Sequence, residues 1–96
     1  MVVSLVMFNL GKGKKSAAED LADQFAMLHK NFKGLKSLTF FSDENTGDYG
    51  SFSIWESQEA LDAAVANYGF DLHEALSAVA TAPPTIKTFA VYEPKV

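Results

Sequence analysis

The chain is predicted to be an α+β protein with the ferredoxin-like split βαβ arrangement, a four-stranded antiparallel sheet with helices on one face. Three observations lead there. Apolar periodicities run in the order β-α-β-β-α-(α)-β along a chain of 96 residues, which is one domain's length, spanning 1–96. A turn dense in Asp, Asn and Gly, 43-DENTGDYG-50, joins two alternating runs and so reads as an antiparallel hairpin. The remaining strands are separated by helical stretches long enough to cross the sheet.

Each element has its own signals. In residues 2–10, Val2, Ser4, Val6, Phe8 and Leu10 alternate with Val3, Leu5, Met7 and Asn9, so both faces of the first strand are mostly apolar and both should be covered. Ser16-Ala-Ala-Glu19 fits a capping box at the start of a helix. Leu21, Phe25, Leu28 and Phe32 then form one apolar stripe, His29 places a cation near the helix C-terminus, and Gly34 stops the helix. Residues 35–43 and 50–57 are the hairpin strands. Ser57 caps a second helix, with Gln58 and Glu59 in its first turn and Leu61 and Val65 facing inward. Gly69 is expected to break that helix, and Leu72, Ala75, Leu76 and Val79 to resume it in a shorter segment. Pro83-Pro84 ends it, and 85–93 is the last strand.

With helices on one face only, the other sheet face keeps apolar side chains such as Phe89 and Val91. A soluble monomer rarely exposes such a patch, so a homodimer packed sheet against sheet is expected.

Composition narrows the function. Hydrophobic residues make up 48% of the chain and eight are Phe, a globular composition rich in aromatic side chains. There is no Cys, which removes disulfides, thiolate catalysis and thiolate metal sites. The net charge is −4, and all eight basic residues are Lys, so nucleic acid is not an expected partner. The stretch 1-MVVSLVMFNLG-11 lacks a basic leader and is too short to span a bilayer, so no membrane association and a cytoplasmic location are expected.

The segment 9-NLGKGKKS-16 has the flavour of a phosphate-binding loop without its glycines. Counting back from Lys15-Ser16, the two required Gly positions hold Asn9 and Lys14. It is read as a flexible turn with solvated lysines. The two His are far apart and no H-E-x-x-H or paired-carboxylate spacing occurs, so no metal is expected. The acids gather at helix starts, where the dipole accounts for them, and the serines form no G-x-S-x-G elbow.

Polar groups that interrupt apolar surfaces remain as candidates. Asn9 ends the first strand, and its amide either satisfies loop backbone or donates to a substrate oxygen. Trp55, the only Trp, shares a face with Ser51 and Ser53, whose small size leaves room for a pocket wall; a core indole under the second helix is the alternative. His73 flanks the stripe of Leu72, Leu76 and Val79. It is either a partly exposed helix residue or a base, since imidazole titrates nearest to neutral pH.

The order of elements, 52-FSIWES-57 leading into a helix and 89-FAVYE-93 closing the chain together resemble the antibiotic biosynthesis monooxygenase (ABM) family of small dimeric α+β barrel proteins. The resemblance covers nearly the whole chain. It implies a cofactor-free oxygenase that acts on an anthrone, a quinol or another electron-rich aromatic ligand with O2. It also implies a cavity between helices and sheet, lined by Phe25, Leu28, Trp55, Tyr68, Phe70 and Leu76. Asn9 and Trp55 would then orient the substrate oxygen, and His73 or Tyr68 would help remove a proton. A ligand-binding or stress-related dimer of the same fold, without catalysis, is the second reading.

Haem binding or degradation is the third. Of the Asn, Trp and His associated with that branch, Asn9 matches, Ala64 stands at the Trp position and Glu74 at the His position. His73 lies one residue early, a rotation of about 100° on a helix.

Overall fold

The computed structural model describes residues 1–28 and 32–95, without the side chains of Leu28, Phe70 and Leu72. The expectations for Leu28 and Phe70 as ligand contacts, and for His29 as a helix-end charge, lie outside the described residues. The described elements are β1 (Val2–Asn9), α1 (Lys15–Leu28), β2 (Leu35–Asp43), β3 (Asp48–Trp55), α2 (Gln58–Val79) and β4 (Thr85–Ala90). The strands form one antiparallel sheet in the order β2-β3-β1-β4, which is the expected split βαβ topology.

Register fixes which residues share a face. Phe8 pairs with Tyr49, Val6 with Ser51, Ser4 with Ser53 and Val2 with Trp55. Val6 and Phe8 pack against a buried cluster of Leu10, Leu21, Tyr49 and Leu76, so this parity is the helix-covered face. Leu21 comes from α1 and Leu76 from α2, and burial of a Leu contributes about 1.5–3 kcal/mol. The opposite parity carries Val3, Leu5 and Met7 of β1, Phe41 of β2, Phe52 and Ile54 of β3 and Phe89 of β4. Met7, Phe41, Phe52 and Phe89 are exposed there. The helices thus leave an apolar face open, as the pattern of β1 suggested.

Several local expectations are corrected. α2 is continuous from Gln58 to Val79 and passes through Gly69. An interior Gly costs about 1 kcal/mol against Ala, and this helix outweighs that by burying Leu61 and Leu76 on either side. α1 begins at Lys15, so Ser16 lies inside its first turn, and Ala18 N–H bonds the Lys14 carbonyl. The left-handed Gly11 and Gly13 (φ 83° and 77°) reverse the chain just ahead of that turn. β3 starts at Asp48 and β4 ends at Ala90, because strand length follows pairing with β1 rather than local alternation.

The cap at Ser57 is as expected, its hydroxyl accepting from Ala60 N–H at 3.1 Å. Among the described residues no helix is long and apolar enough to cross a membrane.

Candidate active site

Asn9 sits where β1 ends and joins three loops. Its Nδ2 donates to the Thr46 carbonyl at 2.9 Å and to Asp48 Oδ1 at 3.0 Å. Its Oδ1 accepts from Gly11 N–H at 2.9 Å, with the Thr81 hydroxyl 3.2 Å away. Thr81 N–H also donates to the Asn9 carbonyl at 2.8 Å, which fastens the chain after α2 to the end of β1. Both donor positions of this amide are taken by protein acceptors and its oxygen holds the Gly11 amide, so in this structure the side chain fastens loops. Hydrogen bonds from Asn9 first and Thr46 second hold the Asp48 carboxyl below its ordinary range.

Trp55 lies at the other end of the same strands. It pairs with Val2 while Asn9 pairs with Asp48, and seven residues of strand separate them by roughly 23 Å. The fold therefore does not bring Asn9 and Trp55 together around one ligand oxygen. Trp55 is buried on the helix-covered face, and its indole N–H donates to Ser53 Oγ at 2.9 Å. Its ring stands 5.7 Å from Phe32, whose ring lies 4.9 Å from Tyr68. Trp55, Phe32 and Tyr68 are a packed aromatic cluster under α2. Leu76 belongs to the core cluster, and His73 is exposed on α2.

The pocket that combines aromatic walls with polar groups lies between α1 and the β2–β3 hairpin. It has a volume of about 130 Å3, and Phe8, Leu21, Phe25, Phe40, Tyr49 and Ser51 line it. Phe8 and Tyr49 stack with centroids 6.3 Å apart and ring planes 27° apart. The exposed side chains of Lys15 and Glu19 also border it. A volume near 150 Å3 holds a benzene ring, so the pocket admits about one ring of a larger aromatic.

A second cleft, of about 290 Å3, separates the start of α1 from the end of α2. Leu10, Lys14, Ala17, Ala78 and Val79 wall it, with no aromatic side chain and no polar one besides Lys14. Of the ligand contacts anticipated from sequence, Phe25 lines the aromatic pocket; Trp55, Tyr68, Leu76 and His73 do not.

Sequence reasoning missed Phe8, Phe40 and Tyr49 as neighbours, and placed Ser51 beside Trp55 rather than beside them. Tyr49 was absorbed into the Asp- and Gly-rich turn, yet its parity with Ser51, Ser53 and Trp55 marks it as inward-facing once the strand is extended by two residues.

Residues 1–78 match the sequence profile of the family described as antibiotic biosynthesis monooxygenase, and the chain belongs to that family. No curated protein sequence matches it. Solved structures do. SnoaB from Streptomyces nogalater, described as a cofactor-independent oxygenase, superposes with a TM-score of 0.79 at 19% identity, covering 98% of this chain and 95% of that one. Rv0793 from Mycobacterium tuberculosis gives 0.81 at 18% identity, over 99% and 98% of the two chains. The ActVA-Orf6 monooxygenase of Streptomyces coelicolor, solved with Nanaomycin D, gives 0.76 at 17%, over 99% and 90%. At these identities the likeness is one of fold.

Proposed function

We propose that the protein is a cofactor-independent monooxygenase that oxidises an electron-rich aromatic substrate of anthrone or quinol type with O2. The observation that carries this reading is the aromatic pocket between α1 and the hairpin, in a chain of this family. The SnoaB description as a cofactor-independent oxygenase and the Nanaomycin D held by ActVA-Orf6 support it by analogy.

The chemistry asks little of the protein. Walls such as Phe8, Phe25 and Phe40 strip water from a substrate phenolate or carbanion, which makes it a better electron donor. The reduced substrate is itself the reductant. One atom of O2 becomes the new carbonyl oxygen, and the other leaves as water with the two hydrogens the substrate loses. Asn9 contributes at a distance, by holding the loops that frame this end of the sheet.

Self-association through the open sheet face belongs to the same reading. Met7, Phe41, Phe52 and Phe89 form an apolar surface that a second copy would cover. A ligand-binding dimer without catalysis is favoured by a different observation: His73, the base expected from sequence, is exposed on α2 and does not line the pocket.

The test is oxygen uptake by metal-free protein offered a panel of anthrones and naphthoquinols. Uptake above the autoxidation rate is expected, together with its loss in Phe25→Trp, which fills the pocket with a larger ring. Ligand binding without uptake across the panel would replace the oxygenase by the non-catalytic binder.

A further inference from the structure

Tyr49 is 3% exposed, and among the described residues its hydroxyl is the buried side-chain polar atom without a hydrogen-bond partner. Two other polar atoms of the covered face are matched: Trp55 Nε1 has Ser53, and Ser53 Oγ has the Ser4 carbonyl at 3.4 Å. An unmade bond on a buried hydroxyl is costly to a fold, so the usual solution is Phe at such a position. Here the chain keeps the hydroxyl, in a side chain that is part of the wall of the aromatic pocket and stacks on Phe8.

We propose that the Tyr49 hydroxyl is a ligand-positioning group, which donates a hydrogen bond to the oxygen of a phenolic or quinone-type ring seated in the pocket. It selects oxygen-bearing rings over hydrocarbon rings of the same shape. The inference rests on the reading that this pocket takes an aromatic ligand, and it adds the group that reads the ligand's oxygen. The hydroxyl is closed to water in the unliganded protein, so a ring that enters among Phe8, Phe25 and Phe40 must displace the side chains that cover it before its oxygen can supply the acceptor that the protein interior withholds. Ser51 Oγ, on the same wall and the same strand face, is a second polar group within the site.

Anaerobic binding of 1-naphthol and of naphthalene to the wild-type protein and to Tyr49→Phe tests this without requiring turnover. The expected result is a ratio of naphthol to naphthalene affinity that falls about 3–10-fold in the variant, as one neutral hydrogen bond predicts, with naphthalene affinity kept. The unliganded variant should unfold at the same or a higher denaturant midpoint, because it loses only an unpaired hydroxyl.

An unchanged affinity ratio in folded Tyr49→Phe overturns the assignment and leaves the aromatic pocket standing. A lowered midpoint in the free variant also overturns it, since the hydroxyl would then be bonded already. Failure of both ligands to bind the wild-type protein removes the pocket reading and the assignment together. Oxygen uptake, measured separately, decides the oxygenase reading on its own.

Discussion

Asn9 and Asp48 face each other across the β1–β3 pair, and their side chains are bonded at 3.0 Å. Replacing Asn9 by Ala strands the Thr46 carbonyl, the Gly11 amide and the Asp48 carboxylate at once. For the half-buried bond to the Gly11 amide a loss of about 1 kcal/mol in unfolding free energy is expected, readable by urea titration. The Asp48 carboxyl is held below its ordinary range by Asn9 and Thr46, so its contribution is present above the unfolded pKa of about 4. That contribution disappears as pH falls through the lower, folded value. Stability of the wild type should therefore decline below about pH 4 more steeply than that of Asn9→Ala. Parallel acid limbs for the two proteins would show that this pair carries no linkage. Gly47 is a residue of the same corner that cannot be exchanged. Its φ is 78°, and a Cβ there would lie 2.6 Å from the Gly11 carbonyl oxygen.

Elements differ in how far local signals determine them. α2 was expected to stop at Gly69, and it runs on for 22 residues because its buried positions at Leu61 and Leu76 lie on both sides of the glycine. Gly69→Ala should raise stability by about 0.5–1 kcal/mol. The added methyl would meet Val65 Cγ1 at 3.1 Å, and Val65 is exposed and free to yield. A thermal melt should show a gain of several degrees for a chain of this size; a lower midpoint would mean that Val65 cannot move. β4 shows the opposite limit. All six of its residues are exposed and it pairs only with β1, so its length is set by that partner. The Ser57 cap, by contrast, was legible outright, because a Ser before an acidic first turn has few other uses.

For the whole molecule, the open sheet face is the feature with the largest consequence. Phe52 stands on β3, one of the two central strands of that face, and is 40% exposed. Phe52→Lys should convert the proposed dimer into a monomer in sedimentation equilibrium and leave the far-ultraviolet circular dichroism unchanged, since the residue lies on the face opposite the helix-side core. A wild-type protein that already sediments as a monomer would remove this expectation.

The topology, the covered face and the open face were all legible in the alternation of β1 and β3 and in the stripe of α1. Those signals are local and each is repeated several times along the chain. The candidate pocket was legible in part. Phe25 lies in its wall because it sits on a helical stripe, whereas Asn9, Trp55 and His73 share only their chemical type. Sequence by itself determined the elements, their order and the two apolar faces of the sheet, because periodicity acts over a few residues. Only the tertiary structure decided that Asn9 and Trp55 sit at opposite ends of one strand pair, and that Tyr49 enters the pocket wall with its hydroxyl unpaired. Those facts depend on register and on helix placement, which are fixed by contacts between residues up to 72 positions apart, such as Thr81 with Asn9.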